Sequence, residues 1–125
     1  MKVNLSNIRM MEMLSELKPF LSRRDRIGYA AARNYRFLTT ALTEYMAFRR
    51  ELIGKYGTPD LDEHGVELGT ISLNSLSPEF KSFCDELAPF NMIEHDVELM
   101  FVNYEDTIGE LNGEEILQLD WMLED

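Results

Sequence analysis

Hydrophobic residues between positions 25 and 57 recur at the spacing of one long helix. They are separated alternately by four and three residues, a heptad pattern typical of a helix with one continuous buried face. The positions of this seam are Ile27, Ala31, Asn34, Leu38, Ala41, Tyr45, Phe48 and Leu52. The pattern predicts a single helix from Asp25 to Gly57, about 45 Å long. Ser22 is its predicted N-terminal cap, Gly57 its C-terminal cap, and Pro59 blocks its continuation.

Asn34 is the one polar residue in this seam. A buried amide at such a position can fix the register of packed helices at some cost in stability. The alternative is that Asn34 lies at the edge of the seam and binds water. The sequence leaves both alternatives open.

A shorter helical pattern covers residues 5–17, with Ser6 or Asn4 near its cap. Pro19 restricts the preceding residue and ends this helix. The connection to the long helix is short, which indicates antiparallel neighbours and therefore a helical hairpin.

The second half of the chain combines strand and helix patterns. Residues 66–73 indicate a strand with a bulge at Gly69, and residues 93–102 alternate as a second strand that is expected to pair with the first. Residues 58–65 are predicted to form a polar loop, and Ser77 is predicted to cap a helix over 77–88. A last helix is expected to begin after Asn112. The predicted class is α+β: an N-terminal antiparallel helical hairpin with a long second helix, then a small antiparallel β-sheet and two short helices.

Charge is distributed unevenly along what we expect to be a single domain, 1–125. Residues 1–55 hold 11 of the 12 Lys and Arg against 5 acids, a local charge of +6. Residues 56–125 hold one Lys against 18 acids, a local charge of −17. We therefore divide the domain into a basic helical hairpin, 1–57, and an acidic α+β half, 58–125. Such asymmetry indicates charged partners, or else two halves that neutralise each other.

The sequence carries no catalytic, cofactor or metal motif. His64 and His95 are the only histidines, and neither has a second ligand at a metal-binding spacing. Cys84 falls on the predicted buried face of its helix and is interpreted as a small apolar group. We expect no enzymatic activity and no cofactor. No signal peptide or membrane-spanning stretch is evident, so we expect a cytoplasmic protein.

Two sets of residues are candidates for partner binding. Arginines cluster near the start of the long helix, a composition that is used on anionic surfaces. An apolar stripe follows further along, beyond the reach of a first helix only about 18 Å long. Uncovered, this stripe predicts a homodimer; the C-terminal helix is the competing cover. The candidate residues are Arg23, Arg24, Arg26, Arg33, Arg36, Tyr45, Phe48 and Leu52.

The order of these features resembles a known group of proteins. An Arg/Ala-rich long helix ends in KYG, S-P-E-F begins a later helix, and an acidic strand precedes a closing E-E-I-L-x-L-D-W-M segment. This layout resembles small uncharacterised proteins encoded by phages and prophages of Gram-positive bacteria. The resemblance covers most of the chain and implies a setting inside a bacterial host cell. It implies no activity and no site residues.

Together these observations predict a non-enzymatic phage accessory or assembly protein that binds protein and self-associates. One alternative is an acidic inhibitor that imitates nucleic acid and occupies a basic groove of a host DNA- or RNA-binding protein. Its acidic face comprises Glu94, Asp96, Glu98, Glu105 and Asp106. Another alternative is nucleic-acid binding through the Arg cluster, which the acidic half disfavours by repulsion. No membrane is expected as a partner.

Overall fold

The computed structural model describes all residues, 1–125, and has a mixed α/β architecture with five α-helices and three two-stranded sheets. Strands β1 and β4 pair antiparallel, as do β2 and β3, whereas β5 and β6 pair in parallel. The helices are α1 (Asn7–Leu17), α2 (Arg26–Ala41), α3 (Thr43–Tyr56), α4 (Glu79–Asn91) and α5 (Gly113–Gln118). The strands are β1 (Lys2–Ser6), β2 (Thr58–Leu61), β3 (Glu67–Ser72), β4 (Glu94–Glu98), β5 (Val102–Asn103) and β6 (Leu123–Glu124).

The chain forms two compact units. The first comprises Met1–Leu42 with Glu94–Asp125, and the second comprises Thr43–Ile93. The first unit contains α1, α2, α5 and the sheets β1–β4 and β5–β6. The second contains α3, the β2–β3 hairpin and α4. The predicted division into residues 1–57 and 58–125 follows charge, and its boundary does not coincide with these units.

The prediction of one helix from Asp25 to Gly57 was wrong, because the helix is interrupted at Leu42. The hydroxyls of Thr39 and Thr40 both donate to the carbonyl oxygen of Arg36, at 3.0 and 2.9 Å. Threonine hydroxyls that bond back to a preceding carbonyl compete with the helical ladder and favour a bend. The heptad pattern could not predict this break, because the spacing of apolar residues does not show where threonine hydroxyls compete with backbone amides.

The start of α2 also differs from the prediction. Asp25, rather than Ser22, is the N-cap, and its carboxylate accepts a hydrogen bond from the Gly28 amide at 3.0 Å. A side chain at Gly28 would meet the Arg23 carbonyl oxygen, since a built Cβ lies 2.2 Å from it. Glycine therefore lets the chain before α2 fold back closely against the first turn. Gly57 does follow the end of α3, and its amide donates to the Ile53 carbonyl oxygen at 2.7 Å.

The first unit begins with a strand that the sequence analysis missed. Residues 2–6 form β1 and pair with β4, with Val3 opposite Val97. The predicted pairing of 66–73 with 93–102 was therefore wrong, although the acidic strand itself exists as β4. Ser6 ends β1 and caps α1, as its side chain accepts from the Arg9 amide at 3.2 Å. Helix α1 packs against α2, so the two predicted N-terminal helices are neighbours.

Asn34 is fully buried and is bonded to the backbone. Its side-chain N–H donates to the Met100 carbonyl oxygen at 2.9 Å, and its Oδ1 accepts from the Met100 N–H at 2.7 Å. The amide thus pairs with both polar groups of one residue in the segment between β4 and β5. Asn34 is thus buried, as in the first alternative, rather than at a water-binding edge, and its partner is the backbone of a non-helical segment rather than a packed helix.

The second unit contains the hairpin formed by β2 and β3, so the predicted polar loop over 58–65 was wrong in its first half. The hairpin register is regular at Thr58 and Pro59 and shifts before Leu61. Gly69 lies opposite this shift with φ +82°, which confirms the predicted irregularity there. The expectation of a single buried face was wrong, because every residue of β3 is exposed.

Helix α4 begins at Glu79, with Pro78 at the cap position, where no side chain caps the first amides. The predicted Ser77 cap was therefore wrong, and Pro89 lies inside the helix rather than after it. Cys84 is exposed, which corrects its interpretation as a buried apolar group. At the other end of the chain, Asn112 and Glu115 form the predicted capping box, and α5 is shorter than its pattern indicated.

We predict that Asn34→Leu lowers the free energy of unfolding by about 2–4 kcal/mol, because the Met100 N–H and C=O would remain buried without partners. Urea denaturation followed by circular dichroism measures this change. Asn4→Leu is the matched control: its exposed amide bonds only the Asp96 side chain, and we expect a change within about 0.5 kcal/mol. Equal effects for the two substitutions would contradict the role of Asn34.

Candidate functional site

The apolar stripe that was predicted to bind a partner is covered within the second unit. Tyr45 and Leu52 are buried, and the Phe48 ring packs on Phe90 of α4 with ring centroids 4.4 Å apart. The Tyr45 hydroxyl donates to Asn91 Oδ1 at 2.6 Å, and burial raises the pKa of that phenol. The cover is α4, not the C-terminal helix that we considered. These three residues therefore have a packing role, and the argument for a dimer from an uncovered stripe loses its basis.

The structure does not bring the predicted arginine cluster together. Arg23 pairs with Asp25 and Glu110, and Arg26 pairs with Asp106 at 2.6 Å. Arg24 is exposed. Arg23 and Arg26 are thus already paired with carboxylates. Two of these carboxylates, Glu110 and Asp106, come from the acidic half. The charge of the two arginines is not available for an external anion without breaking these pairs.

The Asp25 carboxylate is the electrostatic centre of this corner. Hydrogen bonds from the Arg23 guanidinium, at 3.1 Å and 2.5 Å, lower the pKa of Asp25 well below its usual range, and the Gly28 amide adds to the shift. The same contact raises the pKa of Arg23. This arrangement stabilises the start of α2 and has the character of a structural cap.

The other two arginines line an open groove of about 600 Å³ in the first unit. Arg33 and Arg36 project from α2, and Asp96 and Glu98 project from β4. The Arg33 guanidinium lies 5.1 Å from the centroid of the Phe37 ring. Asp96 accepts from Asn4 at 3.0 Å, and a bond from the terminal amine lowers the pKa of Glu98. Both signs of charge face this groove, so it does not attract a uniformly charged ligand.

No arrangement for catalysis or metal binding emerges around the histidines or the cysteine. His64 lies in the exposed hairpin turn, His95 is half-buried on β4, and Cys84 is exposed on α4. No group of three or more His, Cys, Asp or Glu side chains could hold a metal ion. No helix combines the length and the apolar character needed to cross a membrane.

The most unusual surface is the β2–β3 hairpin together with the loop that follows it. Large apolar side chains point into solvent along this segment instead of packing in a core. Leu68 is 60% exposed and Leu76 is 90% exposed. The remaining exposed apolar residues of this segment are Leu61, Val66 and Ile71. We call residues 58–76 the apolar hairpin segment.

Hydrogen bonds hold the hairpin in shape although its apolar residues are exposed. The Asp60 carboxylate accepts from the hydroxyls of Thr70 and Ser72, at 2.6 and 2.9 Å, and these bonds lower the pKa of Asp60. In the turn, Asp62 Oδ1 accepts from the amides of His64 and Val66, at 2.8 and 2.9 Å. The exposed apolar side chains are therefore presented by an ordered two-stranded ribbon.

One face of this ribbon borders a groove of about 230 Å³ within the second unit. Ile71 of β3 contributes to the wall, and Arg49 lies at the groove with its guanidinium 5.9 Å from the Phe83 ring centroid. The other lining residues are Ile53, Ser72, Leu73, Phe80 and Phe83. Five of the seven lining residues are apolar, Arg49 and Ser72 add polar surface, and the groove adjoins the exposed strand β3.

Sequence reasoning missed the apolar hairpin segment for an identifiable reason. Leu68 and Ile71 are apolar residues in a strand pattern, and such residues are usually assigned to a buried face. The available signal was the density of acids around them: 58–72 contains four Asp or Glu and no Lys or Arg.

Comparison of the chain with protein-family models, with curated proteins and with solved structures finds no match. The interpretation of its surfaces therefore depends on the geometry and chemistry described above.

We predict that Asp25→Ala lowers the free energy of unfolding by about 1–2 kcal/mol at pH 7, through loss of the cap and the Arg23 pair. Because the folded-state pKa of Asp25 is depressed, its contribution is complete above the ordinary carboxyl pKa near 3.8. It is lost as the pH falls from there through the folded-state pKa. Urea titrations from pH 2 to 7 should show the two proteins converging only at the acidic end. An unchanged difference at pH 2 would contradict this account.

We also predict opposite outcomes for one substitution at two leucines of the second unit. Leu52 is 5% exposed, so Leu52→Asp buries a charge and should cost more than about 3 kcal/mol or unfold this unit. Leu68 is 60% exposed, so Leu68→Asp should change stability by less than about 0.5 kcal/mol. Thermal melting of both variants measures the contrast. Destabilisation by Leu68→Asp would show that the hairpin is not the open surface described here.

Proposed function

We propose that this protein acts by binding another protein through the apolar hairpin segment, without catalysis. The observation that carries the proposal is the set of large apolar side chains that the hairpin and the loop after it expose to solvent. Exposed apolar patches bordered by polar residues mark interaction sites in soluble proteins. The acids of the hairpin provide such a border.

Two features of the second unit support this assignment over a purely structural role. The stripe on α3 is already covered by α4, so the hairpin is not needed as a lid over Tyr45 or Leu52. Side-chain hydrogen bonds of Asp60 and Asp62 also stabilise the turn and the strands of the hairpin. A loop without a binding role would not need an ordered arrangement of exposed leucines.

A second candidate function is imitation of nucleic acid by an acidic face. It is favoured by the exposure of Glu94, Asp96 and Glu98, which alternate along β4. Two observations weigh against it: Arg33 and Arg36 share the groove with two of these acids, and Asp106 is paired with Arg26. Nucleic-acid binding through the arginines is weakened by the same pairs.

The proposal also includes self-association and a phage setting, each with less support than binding of another protein. The apolar hairpin segment could serve a second copy, although its acids would then face one another. A role as a phage accessory or assembly protein in the bacterial cytoplasm depends on the layout of the sequence. Sedimentation equilibrium at micromolar concentration distinguishes one chain from two.

We predict that a bacterial partner protein retained by the immobilised wild-type chain is lost with Leu68→Asp. The charge would have to be desolvated at the contact, which should weaken binding at least about ten-fold. The retained protein is then purified and titrated by calorimetry against both variants, so that affinity rather than capture decides the result.

Leu117→Asp is the matched control, because Leu117 is also a largely exposed leucine, on α5 of the other unit. It should retain the partner with unchanged affinity. The proposed function would be contradicted if both variants lost the partner equally or both retained it. It would also be contradicted if no retained protein bound in purified form.

A further inference from the structure

The hairpin has one edge that is open to a further strand. Strands β2 and β3 form a sheet of only two strands, so each has an unpaired edge. Outside its ladder with β2, the backbone of Glu67–Ser72 makes no hydrogen bond. Unpaired strand edges are templates for a strand from another chain, and natural proteins usually block them with proline or lysine.

The two edges differ in how they are blocked. Pro59 of β2 has no N–H, and proline is tolerated in a ladder where its nitrogen faces away from the partner strand. The outer edge of β2 therefore lacks a donor. Strand β3 contains neither proline nor lysine, and its only irregularity is the shift at Gly69. Ile71 lies opposite Pro59, where no ladder bond forms, so its N–H and C=O face away from β2 and remain open, whereas the polar groups of Thr70 and Ser72 face β2.

This open edge adjoins the apolar groove of the second unit. Ile71 belongs to both, and Leu73 continues the groove wall one residue beyond β3. A strand added beside Thr70–Ser72 would carry its alternate side chains toward this groove. An apolar residue in such a position has Phe80 and Phe83 available as contacts.

Charge decides which occupant fits. The hairpin carries Asp60, Asp62, Glu63 and Glu67 and no Lys or Arg. A second copy would oppose these acids with the same four acids, which repel. A segment that bears Lys or Arg at the end near the hairpin turn would instead be attracted.

We propose that the open edge of β3 binds an extended, apolar segment of a partner protein with lysine or arginine at one end, by addition of a strand. This inference rests on the proposed function and specifies its partner chemistry. Main-chain hydrogen bonds would supply part of the affinity, the groove would select an apolar side chain, and the acids would select a basic end.

The test uses the full-length protein, labelled with ¹⁵N, and synthetic peptides. All peptides share an alternating Val-Thr core. One peptide has two lysines at its N-terminus and a second has them at its C-terminus. Two matched peptides carry glutamates in place of the lysines. We expect one lysine peptide to shift the amide resonance of Ile71 and to slow its hydrogen exchange, because this amide faces the open edge. The glutamate peptides should bind at least about ten-fold more weakly at low salt.

Two controls distinguish strand addition from nonspecific binding of the peptide. N-methylation of alternate peptide residues should abolish binding in one phase and preserve it in the other, since only one set of amides faces β3. The double variant Glu63→Lys with Glu67→Lys should abolish the preference for lysine over glutamate peptides, because two acids and two lysines then balance on the hairpin. Both side chains are exposed, so we expect the fold to be retained.

Several results would overturn the proposal. Equal binding of the two N-methylated phases, or unperturbed resonances of β3, would exclude strand addition. An unchanged peptide preference in the double variant would exclude charge selection. Protection of β3 in the protein alone that increases with its concentration would assign the edge to a second copy. If the partner is still lost with Leu68→Asp while β3 remains unperturbed, the proposed function stands and strand addition fails.

Discussion

The pairing of the Asn34 side chain with the backbone of Met100 is the contact on which the first unit depends. One amide bonds both polar groups of a residue 66 positions away, at 2.9 and 2.7 Å. It joins α2 to the segment that connects β4 with β5, and so links the parts of the unit that come from opposite ends of the sequence. Because the Asn34 amide is fully buried, its loss would remove both partners of the Met100 backbone.

Other contacts join the C-terminal part of the first unit to α1. The Gln118 amide donates to the Glu16 carbonyl oxygen at 2.7 Å, and the Trp121 indole donates to the Glu16 carboxylate at 3.1 Å. Ion pairs of Arg23 and Arg26 with Glu110 and Asp106 add charge contacts between the basic and acidic parts of the chain. Part of the charge asymmetry is therefore resolved within the protein, which leaves an apolar rather than an ionic surface as the candidate for recognition.

Several local signals predicted parts of the fold, although the predicted caps at Ser22 and Ser77 were wrong. The capping box at Asn112 and Glu115, the cap at Ser6 and the irregularity at Gly69 involve neighbouring residues, and each could be predicted. Strand partners could not be predicted. Several segments have an alternating pattern, and the pattern does not indicate that β1 pairs with β4. The candidate site was missed for a related reason: apolar spacing indicates which residues share a face, and does not indicate whether anything covers it.

Hydrogen exchange of the uncomplexed protein, followed residue by residue by NMR, tests this account most directly. The Met100 amide should be among the slowest to exchange, because it is released only when the first unit opens. The amides of β3 that take no part in the ladder with β2 should exchange rapidly at any protein concentration. A rapidly exchanging Met100 amide, or protection along the open edge of β3, would contradict the account.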